Sequence, residues 1–193
     1  MSQPRRARRT QVEVQAAITQ GVLAELEEVG FAALTYEGVA RRAEVSKPVL
    51  YRRHSSRVSL VLTALQEAAQ NVYAEPPATG SLRSDLLSWI ATAQAMASRV
   101  GAATLRGLVG EASESELEHV ATLMGARVRD IERCVIEPAR RRGELSGAVP
   151  APVIELLFTL IRDRTLFGRL DEPVSASLVD HILLPLLTAG PNP

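Results

Sequence analysis

Ten residues, VSKPVLYRRH at 45–54, concentrate the polar chemistry of this 193-residue chain. They hold a hydroxyl at Ser46, cations at Lys47, Arg52 and Arg53, a phenol at Tyr51 and an imidazole at His54. Leu50 is the natural residue to bury. Lys47, Arg52 and Arg53 can neutralise phosphates or reach the acceptor edge of guanine. Tyr51 can donate its hydroxyl to a phosphate. Ser46 and the free amides of a helix start favour an anion. Pro48 suits a first helical turn, where its missing N–H costs nothing, so the helix is expected to start there with Lys47 at the cap. Pro48 and Val49 are then placed for apolar contact with a thymine methyl.

Other chemistry has little to work with. His54, His119 and His181 are far apart and share no metal-ligand spacing with Cys134, the single cysteine. There is no Gly-rich phosphate loop and no nucleophile elbow. The expectation is a chain with no catalytic residues, no metal and no cofactor. One cysteine allows no internal disulfide, which fits a reducing compartment. No apolar run reaches the length of a membrane span. The basic start MSQPRRARRT lacks the apolar segment of a secretory signal. These features predict a cytoplasmic protein whose residues 1–9 form a disordered basic arm.

The elements around the polar decapeptide read as helices throughout. Val14, Ile18, Val22, Leu26 and Val29 make one helical face over 10–29, which Gly30 should end. Thr35 is a good N-cap for a short helix to Ala43. A turn at 44–46 separates it from the helix expected at 48–53. A fourth helix is expected over 57–73. EPPATGS at 75–81 breaks the pattern. Further helices are expected at 82–100, 102–109, 116–142, 153–167 and 175–187, with Pro185 kinking or ending the last. The fold class is therefore all-α.

Formal net charge is zero, but residues 1–57 hold ten Lys+Arg against six Asp+Glu, a local +4. A basic first third on an acidic remainder suggests one surface for an anionic partner and another for something else. Two short helices joined by a three-residue turn suggest a helix-turn-helix, whose second helix enters the major groove of DNA.

LTYEGVARRAEVSKPVLYRRHSSRVSLVLTAL resembles the DNA-binding domain of the TetR family of transcriptional regulators, over Ile18 to Leu65. The shared pattern includes Gly30-Phe31, Thr35, Val39-Ala40, Ala43, Val45-Ser46-Lys47, Leu50-Tyr51 and Arg57. The resemblance implies a homodimer in which a three-helix helix-turn-helix domain (10–57) precedes a helical ligand-binding and dimerisation domain (58–193). It implies a repressor of a palindromic operator, on double-stranded DNA, released by a small molecule. By position, Thr35 and Tyr36 would meet phosphates. Ser46, Lys47, Val49 and Tyr51 would face the operator, with His54 at the end of that helix, and Arg57 would contact a phosphate. One residue departs from the pattern: Glu44 stands where the family has Gly, so it must take left-handed angles or reshape the turn.

By the same analogy, the last two helices should form a four-helix dimer interface through Leu157, Leu160, Ile161, Leu178, Ile182 and Leu186. A ligand cavity within 82–168 would draw on Trp89, Met96, Leu105, Met124, Cys134, Phe158 and Phe167. The competing reading is a helical ligand-binding or enzymatic dimer with a vestigial helix-turn-helix.

Overall fold

The computed structural model describes residues 9–77, 79–167 and 172–189, and these contain helices and no strand. The expected arm at 1–9 lies outside the described residues except for Arg9. Helix α1 spans Gln11–Ala33 and is capped by Thr10, whose hydroxyl accepts from the Glu13 amide while Glu13 reaches back to Thr10. Gly30, at φ 72° and ψ 172°, interrupts it as expected, but a final turn follows to Ala33. Helix α2, Tyr36–Ala43, starts at the Thr35 cap. Helix α3, Lys47–Arg53, starts one residue earlier than the sequence suggested, with Ser46 rather than Lys47 at the cap. Pro48 at the second position is harmless for the same reason as at the first: neither N–H has an intrahelical partner.

Helix α4 is Arg57–Val72, α5 Leu82–Val100 and α6 Ala102–Glu111. Helix α7, Glu114–Ile131, begins two residues earlier than expected because Ser113 and Glu116 form a capping box. It runs through a π-turn at Glu132–Ile136 into α8, Glu137–Arg141. Helix α9 is Ala151–Leu166, and α10, Glu172–Leu178, continues through a second π-turn at Val179–Leu183 into α11, Leu184–Thr188.

Both π-turns have the same cause. A proline inside a helix has no N–H to give, and its ring collides with the carbonyl four residues back. Widening the preceding turn to i→i+5 bonding relieves this before Pro138, where the Glu137 amide reaches Glu132 O. Before Pro185 the Leu184 amide reaches Val179 O. Pro185 therefore does not end the helix, which continues to Thr188.

Two apolar cores result. One gathers α1 to α4 around Val22, Val39, Leu50 and Val61, and is closed by Val100, Leu108 and Leu123 from α5, α6 and α7. The other packs Leu86, Trp89, Ile131, Val135, Leu157 and Leu183. Helix α4 serves both, with Val58 to Ala64 in the first and Ala69 against the second.

Candidate nucleic-acid interface

Helix α3 buries one residue. Leu50 is fully enclosed, whereas Ser46, Lys47, Pro48, Tyr51 and Arg52 are exposed and Val49 and Arg53 half-buried. An exposed phenol is unusual for an aromatic ring, and Tyr51 is 61% accessible. It does not wander, because it stacks on Tyr36 with centroids 4.3 Å apart. Arg53 donates to Gln15 Oε1 at 3.2 Å, which ties the helix end to α1. Lys47 pairs with Glu37 at 2.6 Å. That hydrogen bond holds the Glu37 carboxyl below its usual range and the Lys47 ammonium above its own.

Three residues expected at the operator are buried or bonded within the chain. Tyr36 is half-buried and its hydroxyl donates to His54 O at 3.1 Å, fastening the end of α3. Burial raises its phenol above the ordinary value. His54 is buried, with both ring nitrogens unpartnered within the protein. Its side chain turns into the N-terminal domain because the backbone leaves α3 there in an extended conformation. Arg57 donates to Ala32 O at 3.0 Å and to both oxygens of Glu111, at 2.9 and 2.6 Å, with its guanidinium 4.6 Å above the Phe31 ring. Thr35 is exposed and its hydroxyl accepts from the Gly38 amide.

His54 gives a pH prediction. Burial, then the neighbouring Arg53, push the imidazole below its usual value, so the unfolded chain binds its proton more readily than the folded one. Stability is then full above about pH 6.5 and falls as pH drops below it. Urea unfolding followed from pH 7.5 to 5 should show this loss in the wild type and a flatter profile in His54→Leu.

The turn between α2 and α3 is made by Glu44 in left-handed angles, φ 52° and ψ 44°. It is the one non-Gly residue with positive φ among those described. Such a residue costs roughly 1–2 kcal/mol. Arg9 stands over it, a contact the sequence did not suggest, since an arginine in a basic tail reads as solvated. Glu25 was also missed. It is buried on α1 against Gly38 and bonds Arg42, joining α1 to α2. Its place three residues after Val22 and one before Leu26, on the apolar face, was the available signal.

The residues expected to line a ligand cavity do not share one site. Trp89 stacks on Tyr73 at 4.2 Å and is buried with Cys134 and Phe158 in or against the C-terminal core. Leu105 and Met124 instead pack against the N-terminal core, because α6 and the first half of α7 lean on α1 and α4. Met96 is half-buried and Phe167 is exposed. A pocket of about 250 Å³ lies elsewhere, between the 145–150 loop and α11, lined by Leu145, Val149, Val153 and Leu187. Of the expected interface residues, Leu157, Ile161 and Leu178 fill the chain's own core, since the helix faces that carry them meet α5. Leu160 and Leu186 are half-buried, and Ile182 and, on α9, Leu156 are exposed.

A buried anchor, an outward polar face and a preceding helix across a tight turn define a helix-turn-helix DNA-binding protein. Residues 18–64 match the family model for bacterial regulatory proteins of the tetR family, and 76–183 match that of the tetracyclin repressor-like C-terminal domain. The chain belongs to the TetR family of transcriptional regulators. It is 32% identical over 176 residues, 84% of this chain and 82% of the relative, to an uncharacterized HTH-type transcriptional regulator of Mycobacterium tuberculosis. It is 28% identical over 184 residues, 91% of this chain and 94% of the other, to the DNA-binding transcriptional repressor TetR of Mycobacteroides abscessus. The crystal structure of the TetR family transcription regulator SCO0332 superposes with a TM-score of 0.72 at 28% identity, covering 89% of this chain and 97% of that one. A TetR regulator from Rhodococcus sp. RHA1, at 15% identity and a TM-score of 0.66, shares the fold. No helix among the described residues is long and apolar enough to cross a membrane.

Proposed function

We propose that the chain represses transcription as a homodimer on a palindromic operator and leaves it when a small molecule binds among the C-terminal helices. The observation that carries DNA binding at α3 is the helix itself, which fully buries Leu50 alone and leaves Ser46, Lys47, Pro48, Tyr51 and Arg52 exposed along its start and outer face. Lys47 and Arg52 would supply phosphate or guanine contacts, Tyr51 a hydroxyl, and Pro48 with Val49 an apolar surface for thymine. Release is supported by the junction above α3. Arg57–Glu111 and Ser56–Glu116 bond the start of α4 to α6 and α7, so a shift of those helices reaches the recognition helix. Exposed Leu156 and Ile182, on α9 and on the turn before α11, suit a second copy of the chain.

Selection of random duplexes by the purified protein, then titration of the selected sequence at two salt concentrations, tests this reading. The expected product is a palindrome bound with steep salt dependence. Tyr51→Ala and Arg52→Ala should each cost about 1–3 kcal/mol of operator affinity. Enrichment of no sequence, or of a single half-site by a monomer, would defeat the proposal.

A further inference from the structure

The α2–α3 turn carries a carboxylate where anionic DNA must approach, on a residue in left-handed angles. Its backbone closes the end of α2 in a regular way: the Val45 amide donates to Ala40 O at 3.0 Å and the Glu44 amide to Arg41 O at 3.3 Å. That pattern uses no donor on Ala43 O, one of the last carbonyls of α2. Arg9 supplies it. Its Nη1 donates to Ala43 O and its Nη2 to Glu44 Oε2, each at 3.1 Å. One guanidinium thus caps a helix C-terminus, where a cation suits the dipole, and neutralises the carboxylate of the same turn. Arg9 can hold this position because Thr10, the next residue, is fixed as the cap of α1.

We infer that Arg9 is a positioning residue for DNA binding: it makes an acidic helix-turn-helix turn compatible with the operator by capping α2 and holding the Glu44 carboxylate in an ion pair. It works through the turn and is not itself a phosphate contact. Binding at α3 is presupposed, but the consequence for the turn is not.

The test is a double-mutant cycle with Arg9→Ala, Glu44→Gly and both, on the duplex selected by the wild type. Arg9→Ala should weaken binding about fivefold, within the range of exposed charge pairs and helix caps. Its dependence on salt should keep the wild-type slope. Glu44→Gly takes the left-handed angles without strain and removes the charge, so Arg9→Ala should cost less than twofold in that background. An equal cost in both backgrounds, with a slope smaller by about one, would make Arg9 a direct phosphate contact and overturn the inference. Amide exchange at Val45 gives a second readout that needs no DNA. Exchange should quicken severalfold in Arg9→Ala and return in the double variant, whereas unchanged exchange in Arg9→Ala sinks the inference even if the operator is found.

Discussion

Leu50→Ala is expected to destabilise the N-terminal core by about 2–5 kcal/mol and to abolish operator binding before it unfolds the chain. Leu50 is the single fully buried side chain of α3, a helix of seven residues. A helix that short has no stability of its own in water. Its position depends on that one side chain and on the peripheral ties of Tyr36, Gln15 and Glu37 to its ends. Removing the anchor leaves a cavity against Val22 and Val39 that collapse can fill only by moving α3. Urea unfolding gives the stability term, and duplex titration gives the binding term. Binding within twofold of wild type would mean that the peripheral ties, not Leu50, hold the recognition helix.

The second large effect is expected far from DNA. Asp85 on α5 is wholly buried, and it accepts from Arg142 Nη2 at 2.7 Å and from Thr79 Oγ1 at 2.5 Å. Arg142 in turn bonds Glu144, whose carboxylate accepts from the Leu82 amide and is held below its usual range chiefly by that bond. The knot joins the start of α5 to the end of α8. Asp85→Ala removes the buried acceptor of Arg142 and Thr79, while Arg142 keeps Glu144, and should cost about 2–3 kcal/mol. Asp85→Ala/Arg142→Ala should cost clearly less than the sum of the single changes, because each removes the same pair. Additive losses in urea titrations would show that the two side chains act independently.

The helices were legible because their apolar residues recur at helical spacing and their caps are local. Thr10, Thr35 and Ser81 each announce a start within three residues, and the 82–100 helix matches its expected bounds. The polar face of α3 was legible for the same reason. What escaped depends on partners distant in the chain. His54 reads as polar and therefore outward, yet its burial is decided where α3 ends. Leu105 and Met124 read as apolar in a C-terminal segment, yet the lean of α6 and α7 assigns them to the other core. Arg9 and Glu44 are 35 residues apart, beyond any periodicity. The π-turns were hidden because Pro138 and Pro185 normally signal a stop, and only the widened turn before each lets the helix go on.

The double duty of α4 bears on how such proteins can be recombined. Its first half walls the N-terminal core, and residues of α5, α6 and α7 close the same core from the far side. A head excised at residue 57 would expose Leu50's neighbours to water and lose Val58, Val61 and Leu62 outright. Grafting this head onto another regulator's body therefore succeeds only if α4 travels with it and the new body offers matching apolar residues at the places of Val100, Leu108 and Leu123. Exchange between relatives is governed by the fit of that seam, and a chimera that ignores it should unfold its head at lower urea than the parent does.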